Sequence, residues 1–325
     1  MSNDTILVLA DPNEPQVARL KQRLAGANTN IVAGNSAEAF QAVAAQATVL
    51  LNWSGSPALF KSVLVMCPNL RWVHSRSVGL DKALFPELIE SSVPLTNSTG
   101  VFSPSLGEFT VAAILYFAKD FRRMIRSQMA GAWDPFDVTT VAGQTVGIIG
   151  YGDIGRAIAA RVRPLGMSVL AVKRHPSSER GADPLVEQTY SPDHRIEMIS
   201  RCDYVVVAAP LTAETRGMIG EPEFAAMKPT AVVINVGRGP IIDESAMLDA
   251  LRKGRIKAAA LDVFDHEPLP PGHPFYKMEN VLLSPHCADH TPVWHDEALN
   301  LFIAQYERFR KGEPLLNVVN KKRGY

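Results

Sequence analysis

Cysteine is scarce in this 325-residue chain, which has only Cys67, Cys202 and Cys287. Three thiols so scattered make neither a disulfide framework nor a zinc site, and they fit a reducing, cytoplasmic compartment. Net charge is lacking too. Lys+Arg and Asp+Glu each number 33, a formal net charge of +0. Nucleic acid or an anionic membrane as main partner would favour a basic excess, so neither is expected. The balance still allows a small basic pocket. No window approaches about 18 uninterrupted apolar residues, so no membrane span is expected. The opening MSNDTILVLADPNEP has neither the basic region nor the long apolar stretch of a secretory signal. Internal repeats, low-complexity tracts and charge blocks are missing as well. What remains is ordinary globular composition, 46% hydrophobic and 20% charged. The length is about twice that of a single domain, so two domains are expected.

Residues 5–98 alternate short apolar runs with amphipathic segments. The runs are TILVLA (5–10), NIVAG (30–34), ATVLLNW (47–53), LRWVHS (70–75) and VPLTN (93–97); between them lie helical patterns such as QVARLKQRL, SAEAFQAVAAQ and PALFKSVLVMC. Strand-length runs separated by helices imply a parallel sheet with crossovers on both faces. Residues 103–129 read as one long helix opened by Ser103-Pro104, a cap followed by proline. A second series runs through TVGIIG (145–150), MSVLAVK (167–173), YVVVAAP (204–210), AVVINVG (231–237), IKAAALDVF (256–264) and NVLLSPH (280–286). Nearly all-apolar runs suit central parallel strands covered on both faces. A final helix is expected from about Pro292 to Arg310. The fold class is α/β, with two doubly wound parallel sheets in series.

TVGIIGYGDIGRAIAARV sets Gly150, Gly152 and Gly155 between an apolar strand and an Ala-rich helix. In that context G-x-G-x-x-G is a dinucleotide loop. The first glycine makes the tight turn, the second admits a pyrophosphate and the third lets helix and strand pack closely. About twenty residues on, where a carboxylate usually binds the ribose diol of NAD, stand Lys173 and Arg174. Two cations at that strand end suit a 2′-phosphate, so NADP(H) is expected in preference to NAD(H). Three further strand ends carry polar residues: Arg238 in NVGRG, Asp262 and Glu267 in LDVFDHEPLP, and His286 in SPHCADHTP. Ligands of open parallel sheets sit beyond the carboxyl ends of the strands, on the rim that also bears the glycine loop. There a guanidinium can fix a carboxylate, and a His–Glu pair, its imidazole pKa raised by the carboxylate, can hand a proton to a carbonyl oxygen.

These pieces, in order, resemble the D-isomer-specific 2-hydroxyacid dehydrogenases over essentially the whole chain. The matching segments are GYGDIG, AAPLTAETRGMIG, INVGRGPIIDESAMLDAL, AALDVFDHEPLP, NVLLSPH and PLLNVVNKKRGY. The resemblance implies that Arg238 binds the substrate carboxylate, that Glu267 orients His286, and that His286 is the acid in reduction and the base in oxidation. It implies cofactor contacts at Asp153 and Ile154 (backbone N–H to pyrophosphate) and at Ala209, Pro210 and Thr215 (adenine-ribose side). Asp262 would hold the nicotinamide carboxamide, with Val236 and Gly237 lining the same wall, and Ala288 would be a further cofactor contact. It implies a flavodoxin-like substrate domain of residues 1–100 and 290–325 and an inserted Rossmann-type NAD(P)-binding domain of residues 101–289. Hinges are expected near residues 98–101 and 288–291, and homodimerisation through 103–140. The activity implied is NADPH-dependent reduction of a small 2-keto acid such as glyoxylate or hydroxypyruvate to the D-2-hydroxy acid. The alternative is a non-catalytic dinucleotide-sensing regulator of corepressor type on the same fold.

The sequence departs from the family where the substrate loop would be a small, glycine-rich segment. Here it reads His74-Ser75-Arg76-Ser77-Val78-Gly79-Leu80-Asp81. Val78 and Gly79 can still offer backbone N–H groups to a carboxylate. Arg76 either adds a second cation to the substrate pocket or points outward to pair with an acid. Cys287-Ala288-Asp289-His290 replaces the glycine-rich segment expected after His286. His286, His290 and His295 have a spacing that resembles a metal site, but no second motif supports one and no metal is expected.

Overall fold

The structure is a computed structural model that describes residues 4–176 and 183–325. The chain divides into two compact units, Met1–Phe102 with Thr291–Tyr325, and Ser103–His290. The first contains β1 (Asp4–Leu9), β2 (Thr29–Gly34), β3 (Val49–Asn52), β4 (Trp72–Ser75) and β5 (Leu95–Asn97). They form one parallel sheet in the order β2-β1-β3-β4-β5. That is the flavodoxin-like order, whose direction reverses between β1 and β3.

Side chains alternate across this sheet with period two, and both faces are covered. Leu7, Leu9 and Leu50 face one apolar cluster with Phe40, Phe60 and Val63. Ile6, Val8 and Leu51 face another, shared with Phe302 and Tyr306 of the Trp294–Lys311 helix. Trp72 stacks on Phe302 with ring centroids 5.2 Å apart. Each such fully buried side chain contributes about 1.5–3 kcal/mol, so the last helix belongs to the first unit through its core.

The second unit contains β6 (Thr145–Ile149), β7 (Ser168–Val172), β8 (Gln188–Tyr190), β9 (Tyr204–Val207), β10 (Val232–Asn235), β11 (Ala258–Leu261) and β12 (Val281–Leu283). All ladders are parallel, in the order β12-β11-β10-β9-β6-β7-β8. This is the Rossmann order with one added edge strand, and it reverses between β6 and β9. Every residue of β9, β10 and β11 is buried, as strands covered on both faces require.

Several sequence expectations are corrected. The 103–129 helix is two, Ser103–Ala118 and Phe121–Met129, because Asp120 takes a left-handed conformation (φ 50°) and caps the second by accepting the Arg123 N–H. Asp tolerates that conformation better than most residues. SAEAFQAVAAQ forms two short 3₁₀ turns, Ala37–Phe40 and Ala44–Gln46, since Val43 leaves helical geometry between them. The last helix starts at Trp294, not Pro292, and Val293 caps it without a side-chain bond. β8, only three residues long, had no apolar run to announce it.

Candidate active site

β10, β11 and β12 are neighbours, so the segments leaving their carboxyl ends lie side by side. Past β10 the chain turns tightly: the Asn235 side chain accepts the Gly237 N–H at 3.0 Å and donates to the Arg238 carbonyl at 3.0 Å. Arg238 Nη1 donates to the Gly237 carbonyl at 2.8 Å. Gly239 is dictated by close approach, since a Cβ there would lie 1.9 Å from the Phe264 carbonyl carbon. The turn after β10 therefore rests directly on backbone leaving β11, which fixes where Arg238 begins.

The His–Glu pair is formed. His286 Nδ1 and Glu267 Oε2 are 2.7 Å apart, and Glu267 Oε1 accepts the Phe264 N–H at 3.0 Å. With one carboxylate oxygen tied to backbone and the other on Nδ1, the imidazole presents Nε2 outward. His286 itself holds φ 53°, a conformation uncommon outside glycine and stored mostly where surrounding structure enforces it. The enforcing group is Asp262, which is 2% exposed. Its Oδ1 accepts the Ser284 hydroxyl at 2.6 Å and the Cys287 and Ala288 N–H groups at 3.0 and 3.1 Å. Asp262 thus pins both sides of the histidine turn, a role that residue spacing did not disclose. Among the described residues its second oxygen has no hydrogen bond, which leaves an acceptor for a carboxamide. Burial raises the Asp289 pKa, while His290 opposes the shift and Asp262 adds to it.

The glycine loop fits a dinucleotide. Gly150 has φ 95°, and a Cβ on it would strike the Ala209 Cα at 2.5 Å. Nothing lies within 4 Å of a Cβ built on Gly152, at the start of the Asp153–Val162 helix. Open space over the first turn, where Asp153 and Ile154 have amides that no helix carbonyl can satisfy, has room and donors that could hold a pyrophosphate. A Cβ on Gly155 would meet the Gly150 carbonyl oxygen at 2.5 Å, so helix and strand pack closely there. Ala209 also abuts Gly237, beside the buried Val236, and Pro210 accepts the Thr215 hydroxyl at 2.7 Å. The Thr215 side chain thus holds its own turn. At the end of β7, Lys173 is exposed and its N–H donates to the Tyr190 carbonyl at 2.9 Å. Arg174 is ion-paired with Glu214, a partner that sequence spacing did not reveal.

In the first unit, Arg76 packs against aromatic rings that its place in the sequence did not reveal. Its guanidinium lies over the rings of Trp53 and Trp294, 5.2 and 5.0 Å from their centroids, with Glu14 the nearby acid that acts on it electrostatically. Val78 and Gly79 are half-buried, and their N–H groups have no partner among the described residues, as an anion-binding turn requires. Among the described residues no group of three or more His, Cys, Asp or Glu side chains could hold a metal ion, and no helix is long and apolar enough to cross a membrane.

Residues 111–288 match the family model described as D-isomer specific 2-hydroxyacid dehydrogenase, NAD binding domain. The chain belongs to the D-isomer specific 2-hydroxyacid dehydrogenase family. It is 34% identical over 270 residues to a glyoxylate reductase of Thermofilum pendens, covering 80% of this chain and 78% of that protein. Among solved structures it is similar to a D-isomer specific 2-hydroxyacid dehydrogenase from Xanthobacter autotrophicus in complex with NADPH and MES, with TM-score 0.84, 28% identity and 100% of both chains covered. It is likewise similar to an NADPH-dependent glyoxylate/hydroxypyruvate reductase from Sinorhizobium meliloti in complex with NADP and sulfate, with TM-score 0.83, 28% identity, and 99% and 100% covered. As a family member, this dehydrogenase is an NAD(P)-dependent enzyme acting on D-2-hydroxy acids and their 2-keto counterparts.

Proposed function

We propose that this dehydrogenase runs mainly as a reductase, using NADPH to convert a small 2-keto acid, such as glyoxylate or hydroxypyruvate, into the D-2-hydroxy acid. The observation that carries the reading is the Glu267–His286 pair, held at a strand end adjoining the Arg238 turn. Bound nicotinamide would supply the hydride; the protein supplies binding and the proton. Arg238 holds the carboxylate and draws electron density from the adjoining carbonyl, which charge-assisted hydrogen bonds do well. His286, protonated and oriented through Nδ1 by Glu267, gives its Nε2 proton to the carbonyl oxygen as charge develops there. In balance, one keto acid, one NADPH and one proton yield one hydroxy acid and one NADP⁺.

The Ser103–His290 unit is proposed to bind the dinucleotide through Gly150, Gly152, Asp153, Ile154 and Gly155. Lys173 and Arg174 would take the 2′-phosphate; Ala209, Pro210, Thr215, Val236, Gly237, Asp262 and Ala288 would complete the wall. Val78 and Gly79 are proposed to offer their backbone N–H groups to a carboxylate. We also propose a homodimer through 103–140. The Phe121–Met129 helix buries none of its side chains, Met129 is 84% exposed and Trp133 97%. Such an apolar surface is commonly an interface. All three cysteines are free, in keeping with a cytoplasmic location.

The test is NADPH oxidation with glyoxylate, hydroxypyruvate, pyruvate and phenylpyruvate, followed by chiral analysis of the product. Turnover of at least one to the D-isomer is expected. Binding of NADPH with no turnover on any would leave the regulator reading in its place.

A further inference from the structure

β3 and β4 are adjacent and in register, Asn52 opposite Ser75, so Trp53 and Arg76 leave the sheet side by side at its carboxyl edge. The Arg76 backbone N–H donates to the Asn52 carbonyl at 3.0 Å, which fixes where its side chain starts. Its guanidinium is then covered by Trp53 at 5.2 Å and by Trp294, from the first turn of the last helix, at 5.0 Å. The Trp294 ring stacks in turn on His295, with centroids 3.6 Å apart. A guanidinium between two indoles has lost most of its rotamer freedom, and its donors remain in one plane as a ready fork. Burial lowers the Arg76 pKa and nearby Glu14 opposes the shift; Glu14 itself accepts the Ser54 hydroxyl. Two buried polar atoms at the same strand end also lack partners among the described residues, Trp53 Nε1 and Asn52 Oδ1. Buried polar groups are nearly always paired, and of these two the Trp53 indole N–H is a donor that a carboxylate can satisfy.

We propose that Arg76, clamped between Trp53 and Trp294, is a carboxylate-binding site of the first unit. A carboxylate matches the planar fork edge-on with two parallel hydrogen bonds, which an ammonium could not offer in fixed geometry. The carboxylate can be the substrate's own or that of a separate small acid. Only the first of these rests on the keto-acid reading.

Calorimetric titration of the full-length protein with malonate tests the site without requiring turnover. Arg76→Met, which still fills the space between the indoles, is expected to weaken malonate binding about ten- to a hundred-fold, the worth of a charge-assisted bond. Arg76→Lys should recover only part of it. If KM for the 2-keto acid rises in Arg76→Met by a similar factor, with KM for NADPH unchanged, the site takes the substrate carboxylate. If that KM stays constant while malonate binding is lost, the site takes a separate acid. Wild-type malonate affinity in Arg76→Met, no saturable binding to the wild type, or tighter binding of inorganic phosphate than of malonate overturns the proposal. Absence of turnover with intact Arg76-dependent malonate binding would instead overturn the reductase reading alone.

Discussion

Replacing Arg174 and Glu214 in turn probes cofactor choice at the end of β7. Arg174 is tied to Glu214, whose side chain is 70% exposed. Solvent-exposed pairs of this kind contribute about 0–1 kcal/mol, so a 2′-phosphate can displace the glutamate at little cost. A guanidinium–phosphate bond contributes about 1.5–3 kcal/mol. Arg174→Ala should therefore raise KM for NADPH about ten- to a hundred-fold while changing KM for NADH no more than about two-fold. Glu214→Gln removes the competing carboxylate and should lower KM for NADPH by up to about five-fold, again sparing NADH. The assay is initial-rate kinetics with each coenzyme at saturating keto acid. A wild-type preference for NADH, or equal effects of Arg174→Ala on both coenzymes, would refute the reasoning.

Three other outcomes follow from the geometry. Glu267→Gln should lower kcat about a hundred-fold with NADPH affinity unchanged, since the remaining amide cannot support the imidazolium electrostatically; wild-type kcat would contradict the paired role. Gly239→Ala places a methyl 1.9 Å from the Phe264 carbonyl carbon, so Tm should fall and kcat/KM should drop at least about ten-fold as the Arg238 turn shifts. An unchanged Tm and rate would show the turn to be free to move. His74 is fully buried, and burial pushes its pKa down to about 3. Its Nδ1 lies 2.7 Å from the Thr96 hydroxyl, which also accepts the Trp72 indole N–H at 2.8 Å. The unfolded chain takes up that proton below about pH 6.5, so stability should fall by up to about 1.4 kcal/mol per pH unit from there towards pH 3. Urea midpoints at pH 7 and 5 should differ less in His74→Gln than in wild type; equal differences would remove His74 from the account.

Strands longer than three residues were legible because central parallel strands are apolar almost without interruption, as in Tyr204–Val207 and Val232–Asn235. The glycine loop was legible because each glycine answers a local demand, at Gly150 a left-handed turn and at Gly155 contact with a carbonyl. His286, Glu267 and Arg238 were legible as a set of residue types at successive strand ends. What stayed hidden depends on contacts between distant segments. Nothing near Arg76 in the chain announces that Trp53 and Trp294 will enclose it. Asp262 pins the histidine turn across 22 to 26 positions of sequence. Glu214 reaches Arg174 over 40. The break at Asp120 was hidden for a different reason: one left-handed residue interrupts a helix without altering its hydrophobic pattern.

The central claim is that His286 and Arg238 act on a 2-keto acid while the glycine loop independently holds NADPH. Steady-state turnover and NADPH titration, run side by side on wild type, His286→Ala and Arg238→Ala, test it most directly. The account predicts that both variants lose about two orders of magnitude or more in kcat/KM for the keto acid and bind NADPH as wild type does. Retained turnover in both variants would contradict it.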